Sequence, residues 1–195
     1  MPGSGLSMKI NKHNNKTKAI FAGAFILIAY GVLVSGITSN KSLVMISDVI
    51  SGLAVIGIAA IMFPFYKRSN KKLSLSYLLL KFLEGTLMIA GGILFLNNSL
   101  QFMREWIYNG IHLWTFIISG FIFYYLLYKT KLVPRFIAVW GAIAIFVLLV
   151  KTAFMIVGLS YPILDVMLIL IITNELILAI WLMVKGFNLT VADSA

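Results

Sequence analysis

The chain has 195 residues, of which 61% are hydrophobic and 11% charged, and its mean hydropathy is +1.01. A water-soluble domain of this length could not bury so much apolar surface, so the composition excludes a soluble globular enzyme and indicates an integral membrane protein. The chain carries a formal net charge of +10. It has no cysteine, so disulfides, thiolate metal sites and cysteine nucleophiles are excluded.

The N-terminal residues divide into two short segments before the first apolar run. Residues 1–7 are mostly small and are followed by a second methionine, so they are interpreted as a remnant of cloning. Residues 8–18 are polar and basic and are predicted to form a retained cytoplasmic tail. Residues 19–187 are predicted to form a single transmembrane domain, and residues 188–195 a C-terminal tail.

Six apolar segments follow the tail, and each is about as long as a helix that spans a bilayer. The predicted spans are residues 19–37, 43–66, 75–96, 108–128, 134–157 and 163–184. Pro134 and Pro162 fall at predicted helix starts, whereas Pro64 is expected to end or kink the second helix. The predicted fold class is therefore an all-α polytopic bundle of six transmembrane helices.

The distribution of basic residues predicts the orientation of the bundle. Twelve Lys and Arg residues fall in the tail and loops of one side, and only Lys41 and Arg104 fall in those of the other. Short loops rich in these residues stay in the cytoplasm, so both termini are predicted to be cytoplasmic. The same bias explains the net charge without nucleic acid, because these loops are too short for a module that reads a groove.

A shift of 91 residues lays the first three predicted helices over the last three and superposes Glu84 on Glu175. Each half would contain three helices, so the two halves would have opposite orientations in the membrane. We therefore consider the hypothesis of a 3+3 inverted repeat, which is typical of secondary transporters. The coinciding apolar residues are what chance produces in so apolar a chain. Glycines inside the spans indicate close helix contacts and are compatible with a homo-oligomer.

Charged groups at the depth of the membrane are costly and normally face the bundle interior. Lys81 and Glu84 are three residues apart on one face of helix 3, and Glu175 lies at a similar predicted depth beside Asn174. We interpret Lys81, Glu84, Asn174 and Glu175 as an inner site that binds a proton or a ligand. The alternative is a structural Lys81–Glu84 ion pair, with Glu175 protonated or hydrogen-bonded.

A second group is predicted in the outer third of the membrane. It consists of Asp48, His112, Lys151 and Asp165, which we interpret as the lining of an outer vestibule. One imidazole with two carboxylates is a poor zinc site, and Lys151 would compete for the carboxylates, so no metal is expected. The other histidine, His13, lies in the predicted tail, so bis-histidine haem is excluded and no cofactor is expected.

Three stretches of the chain resemble an uncharacterised family of bacterial six-helix membrane proteins, domain of unknown function 4386. They are K-F-L-E-G at 81–85, H-L at 112–113 followed by Y-L-L-Y-K-T-K-L-V-P-R at 125–135, and N-E-L-I-L-A-I-W-L-M-V-K-G at 174–186. The resemblance is expected to extend over nearly all of the chain from about Lys16. It implies a protein of the bacterial cytoplasmic membrane, implies no activity, and matches Lys81, Glu84, His112, Pro134, Glu175 and Trp181 to recurring positions. Lys81 stands where that family often has arginine. Lysine keeps the positive charge but cannot make the bidentate contact to a carboxylate that arginine makes.

The leading functional hypothesis is a small transporter, or a membrane protein that binds an amphiphilic ligand, with Glu84 and Glu175 responding to a proton or cation. The alternatives are an intramembrane enzyme that acts on a lipidic substrate through the carboxylates and His112, and a non-catalytic accessory or sensor subunit. The expected partners are membrane lipids and a small amphiphilic or ionic ligand.

Overall fold

The computed structural model describes residues 4–159 and 161–188. Residues 1–3 of the predicted cloning remnant and 189–195 of the predicted C-terminal tail lie outside this range. The described residues form helices and turns, without a β-strand. The first helix, Ser4–Ala29, includes the predicted basic tail and the first part of the first apolar segment.

Six helical segments are long and apolar enough to cross a membrane, as the sequence predicts. Their bounds are Asn14–Gly36, Lys41–Ser69, Lys71–Phe95, Asn98–Thr130, Arg135–Ile156 and Pro162–Val184. We call them spans 1 to 6. The individual α-helices are α1 Ser4–Ala29, α2 Lys41–Ser69, α3 Lys71–Phe95, α4 Gln101–Ile107, α5 Leu113–Thr130, α6 Arg135–Ile156, α7 Pro162–Met167 and α8 Ile169–Val184.

Asparagine side chains set the starts of two of the long helices. Asn40 Oδ1 accepts a hydrogen bond from Leu43 N at 3.2 Å, and Asn70 Oδ1 accepts one from Leu73 N at 3.0 Å. Each side chain thus caps donors that have no partner inside the first turn. Because Asn70 is the only residue between α2 and α3, these helices form a tight antiparallel pair.

Pro64 was expected to end or kink α2; it does not end the helix, which continues to Ser69. Only five residues follow the proline, so its missing donor weakens the last turns and leaves most of the helix unaffected. Pro134 immediately precedes α6, and Pro162 is the first residue of α7, as their fixed backbone angle favours.

Three spans are interrupted, so they are not single α-helices. Span 1 changes to 3₁₀ geometry at Tyr30–Gly36, and span 6 is divided at Leu168 between α7 and α8. Span 4 contains a π-helical turn at Tyr108–His112, within which Gly110 is non-helical with φ −102° and ψ −107°. The start of span 4 therefore lies ten residues before the predicted one, because the segment around Trp106 is helical and not a loop.

The spans form a closed ring in chain order. α1 packs against α2, α2 against α3, α3 against α5, α5 against α6, α6 against α8, and α8 returns to α1. α2 also contacts α5 across the ring. α2 and α3 approach very closely, since a Cβ atom on Gly52 would lie 2.5 Å from the carbonyl oxygen of Gly85.

The basic residues collect at one end of this ring. The backbone N–H of Asn188 donates to Leu132 O at 2.8 Å, and the rings of Phe65 and Phe187 lie 4.5 Å apart, so the ends of α2 and α8 meet the α5–α6 turn. We call this the basic end, and its loops and helix termini carry Lys67, Arg68, Lys71, Lys72, Lys129, Lys131, Arg135 and Lys185. Lys41 contacts Asn98 at the opposite end.

Candidate functional site

α3 carries a buried ion pair in the middle of the bundle. Lys81 Nζ lies 2.9 Å from Glu84 Oε2 and 3.0 Å from Glu84 Oε1, because a spacing of three places both side chains on one helix face. Ser119 Oγ on α5 donates to Glu84 Oε2 at 3.0 Å, and the Lys81 ammonium lies 5.0 Å from the centre of the Phe116 ring. Glu84 is almost fully buried. Its carboxylate is neutralised by the ammonium of Lys81 and accepts a hydrogen bond from the hydroxyl of Ser119.

Glu175 lies in the same interior but has a different partner. Tyr30 Oη donates a hydrogen bond to Glu175 Oε2 at 2.8 Å, which joins span 1 to α8. In the described part of the chain, no Lys or Arg nitrogen lies within 4 Å of Glu175. The charges of Lys81 and Glu84 are still close enough to act on it. The structure thus places Lys81 and Glu84 within electrostatic range of Glu175, and we call these three residues, together with Tyr30 and Ser119, the charged layer.

The position of Tyr30 depends on the interruption of span 1. Tyr30 is the first residue of the 3₁₀ segment, where the change of geometry leaves carbonyl groups without their usual α-helical donors. Ser51 Oγ donates to Ile28 O at 3.3 Å, and Ser47 Oγ donates to Gly31 O. These two serines of α2 therefore stabilise the interruption that presents Tyr30 to Glu175.

Asn174 is buried but faces a different neighbour from Glu175. Its Nδ2 donates to Ile137 O on α6 at 2.9 Å, so this side chain links α8 to α6. Adjacent residues of a helix point about 100° apart, which is why the two side chains separate. The contact is of the kind that holds membrane helices together.

The predicted outer group separates into two unrelated ion pairs. Asp48 is fully buried and accepts two hydrogen bonds from Arg104, from Nε at 2.7 Å and from Nη2 at 3.0 Å. Lys151 Nζ instead contacts Asp165 Oδ1 at 2.7 Å, in a pair whose aspartate side chain is 58% exposed. The predicted balance of charge is therefore right for Lys151 and Asp165 and wrong for Asp48, whose partner is Arg104.

Arg104 is the functional candidate that the sequence analysis missed. The sequence predicts an external loop here, but Arg104 lies on α4 with its side chain buried and its guanidinium 4.5 Å from the centre of the Tyr108 ring. Spacings of three and four place Ile107 and Tyr108 on the same helix face as Arg104. This spacing indicates a helix that begins before residue 108, the predicted start of the fourth span. We call Asp48, Arg104 and Tyr108 the ion-pair layer.

His112 lies between the ion-pair layer and the charged layer. Its ring centre is 4.8 Å from that of Tyr108, and it is within electrostatic range of Lys81, Glu84, Asp48 and Arg104. Among the described residues, no three His, Asp or Glu side chains are grouped so that they could hold a metal ion.

A cluster of aromatic rings lies on the other side of the charged layer. Tyr77 of α3 stacks on Phe123 of α5 with ring centres 5.5 Å apart, and Tyr66 meets both rings edge-on. Tyr124 adjoins Phe123 at 5.1 Å. We call these four residues the aromatic layer. In the described part of the chain, the buried hydroxyl groups of Tyr66 and Tyr124 have no hydrogen-bond partner.

The order of residues along α3 shows how the three layers follow one another. From the basic end, α3 presents Tyr77 to the aromatic layer, Glu84 to the charged layer, and Gly92 to the ion-pair layer, where a Cβ atom would collide with Asp48. At a rise of 1.5 Å per residue, the charged layer lies about 10 Å from Tyr77 and about 12 Å from Gly92. Along α3, the charged layer therefore lies between the aromatic layer and the ion-pair layer.

Comparison with known proteins gives one match. The family model described as Domain of unknown function (DUF4386) matches residues 97–186, so the chain is similar to that family from the loop before α4 to the end of α8. The matched range is narrower than expected: it includes His112, Pro134, Glu175 and Trp181, while Lys81 and Glu84 precede it. No curated protein and no solved structure matches the chain.

Proposed function

We propose that this protein is a small membrane transporter that binds a proton or a small cation at Glu175. The observation that carries the proposal is the half-buried carboxylate of Glu175, which is hydrogen-bonded to Tyr30 and has no basic partner within 4 Å in the described part of the chain. Ionisable groups at this depth are costly, so they normally mark an ion pathway or a ligand site.

The formal charges of the charged layer support binding of a positive species. Lys81 neutralises one carboxylate, so with all three groups ionised the layer carries one net negative charge. A proton or a cation bound at Glu175 would remove that charge. Tyr30 could then turn its hydroxyl oxygen toward the bound cation, because a phenol both donates and accepts hydrogen bonds.

The surroundings of the charged layer are those expected for an occluded transporter. The aromatic layer separates it from the basic end, and the Asp48–Arg104 pair separates it from the other end. Spans 1, 4 and 6 are interrupted, and interrupted helices are a recurring feature of ion and substrate sites in secondary transporters. Alternating access would require each covering layer to open in turn.

We further propose that the protein resides in the bacterial cytoplasmic membrane with its basic end in the cytoplasm. The support is the concentration of Lys and Arg at that end, since short loops rich in these residues are retained on the cytoplasmic side. Both termini would then be cytoplasmic.

The first test measures binding by thermal stability of the purified protein in detergent, with NaCl, LiCl or tetraphenylphosphonium as probes and at several values between pH 5 and 8. A ligand at 100 times its Kd stabilises the folded state by about 2.7 kcal/mol, which is readily seen as a rise in Tm. The response should disappear in Glu175→Gln and persist in Glu105→Gln, the same substitution at an exposed carboxylate of α4. A wild type that responds to no cation and to no change of pH would contradict the proposal.

The second test measures transport in proteoliposomes that contain a pH-sensitive dye and are energised by a potassium diffusion potential. The cation that gives the largest thermal shift is added outside, and internal pH and cation uptake are followed. Wild type and Glu105→Gln should exceed empty vesicles, and Glu175→Gln should not. Binding without flux would make the protein a binding protein and not a transporter.

A further inference from the structure

A groove about 460 Å³ in volume lies between α5 and α6, outside the charged layer. Its lining is almost entirely apolar and consists of Phe121, Tyr124, Tyr125, Tyr128, Ala138, Val139, Ala142, Ile143 and Phe146. Several of these side chains are exposed on the surface of the bundle. Because the medium around the bundle is hydrocarbon, the groove opens toward lipid. It extends from the basic end inward for about 10 Å, the length of the α5 stretch from Tyr128 back to Phe121.

Small residues of α6 shape the groove. The ring of Tyr124 occupies the space that a Cβ atom of Gly141 would fill, and Ala138 and Ala142 beside it have short side chains. Tyr124 is 2% exposed and is held by Phe123, so the floor of the groove is fixed. A preformed, closely packed apolar channel of this kind suits a flexible hydrocarbon chain.

Two cations stand at the mouth of the groove. The guanidinium of Arg135 lies 4.9 Å from the centre of the Tyr128 ring, and the ammonium of Lys129 lies 5.9 Å from that of Tyr125. Both rings line the groove. α6 also begins at Arg135, and the N-terminal end of a helix favours an anion at the same place.

These cations have no acidic partner in the described part of the chain. The acidic residues there are Asp48, Glu84 and Glu175 in the interior, and Glu105 and Asp165 toward the opposite end. Neither Lys129 nor Arg135 lies within 4 Å of a described carboxylate. Among the described residues, no carboxylate therefore offsets the positive charge at the mouth of the groove, which lies at the level of the lipid headgroups.

We infer that the α5–α6 groove is a binding site for an anionic glycerophospholipid of the surrounding leaflet. One acyl chain lies along the apolar floor, and the phosphate is held between Arg135 and Lys129 at the start of α6. The aromatic rings beneath the two cations hold them in place by cation–π contact. This site is separate from Glu175 and does not depend on the proposed transport function.

The test compares retained lipids by native mass spectrometry of the protein taken from nanodiscs with equal amounts of phosphatidylglycerol and phosphatidylcholine of identical acyl chains. Wild type should retain phosphatidylglycerol in preference. In the double variant Arg135→Gln/Lys129→Gln, the ratio of retained phosphatidylglycerol to phosphatidylcholine should fall by at least about fivefold, because each cation near an anionic headgroup contributes to its binding. Ala142→Phe, which fills the groove, should lose the retained lipid altogether.

Two controls match these changes. Lys71→Gln/Lys72→Gln removes two exposed charges from the same end of the molecule but away from the groove, and Ala153→Phe adds the same ring to an exposed position of α6. Both should behave as wild type. Arg135 and Lys129 are exposed, so their variant tests the site even if Ala142→Phe fails to fold.

Four results would overturn the inference. They are equal retention of the two lipids by wild type, equal losses in the Lys71/Lys72 and Arg135/Lys129 variants, retention of phosphatidylglycerol by a folded Ala142→Phe, and a dimer that Ala142→Phe dissociates. The second would assign the effect to the basic end in general, and the last would make the groove a contact between two copies of the chain.

Discussion

Glu84 and Glu175 differ in what they balance, and the same substitution should therefore affect them differently. Glu84→Gln leaves the ammonium of Lys81 buried without its counter-ion, and breaking a buried pair in this way costs about 3–5 kcal/mol. Glu175→Gln still accepts the hydrogen bond from Tyr30 through its amide oxygen, so we expect little loss of stability. Unfolding of each variant in mixed micelles, with Glu105→Gln as control, measures the difference. Equal losses at positions 84 and 175 would contradict this assignment.

The Asp48–Arg104 pair makes a second prediction at the scale of single residues. Arg104→Met leaves a fully buried carboxylate unpaired and should cost about 3–5 kcal/mol, whereas Asp48→Leu/Arg104→Met removes both charges and should recover most of that loss. The same unfolding measurement on the two single variants and the double variant gives their coupling. Additive losses would mean that the two side chains do not stabilise each other.

At the scale of helices, the contact of α2 with α3 depends on the absence of two Cβ atoms. A Cβ on Gly85 would lie 2.5 Å from the carbonyl oxygen of Gly52, which is backbone and cannot turn away. Gly85→Ala should therefore separate the helices and cost about 1–3 kcal/mol, as overpacking does. Gly36→Ala is the control, since nothing lies within 4 Å of the position its Cβ would take. A Gly85→Ala variant with the Tm of Gly36→Ala would show that the helices can move apart freely.

At the scale of the whole molecule, orientation is tested by labelling single cysteines, which the native chain makes simple because it has none. Ser99→Cys lies at the end of the bundle opposite the basic end, next to Asn98, and Ser69→Cys lies at the basic end. Both serines are exposed. If the basic end is cytoplasmic, an impermeant maleimide added to intact cells should label position 99 and not position 69. Cells made permeable should show labelling at both. Labelling of position 69 in intact cells would reverse the proposed topology.

The apolar segments, the turns between them apart from the one before span 4, and the Lys81–Glu84 pair could be predicted from the sequence, because each depends on residues that are near in the chain. A run of about 20 apolar residues needs a helix in hydrocarbon, since every backbone polar group must be satisfied within the segment. The three-residue spacing of Lys81 and Glu84 makes a contact on any helix. By the same local logic, Asn70 falls between the second and third predicted spans, and its side chain caps the start of α3.

The partners of Asp48, Glu175 and Asn174 were decided by the tertiary structure alone. Asp48 and Arg104 are 56 residues apart, and Tyr30 and Glu175 are 145 apart, so their contacts follow from the order of helices around the ring. The amide of Asn174 faces α6 although its neighbour Glu175 faces span 1, because rotation about the helix axis separates adjacent side chains. Charge and hydropathy specify which groups must be buried together with a partner, but only the packing of distant helices selects that partner.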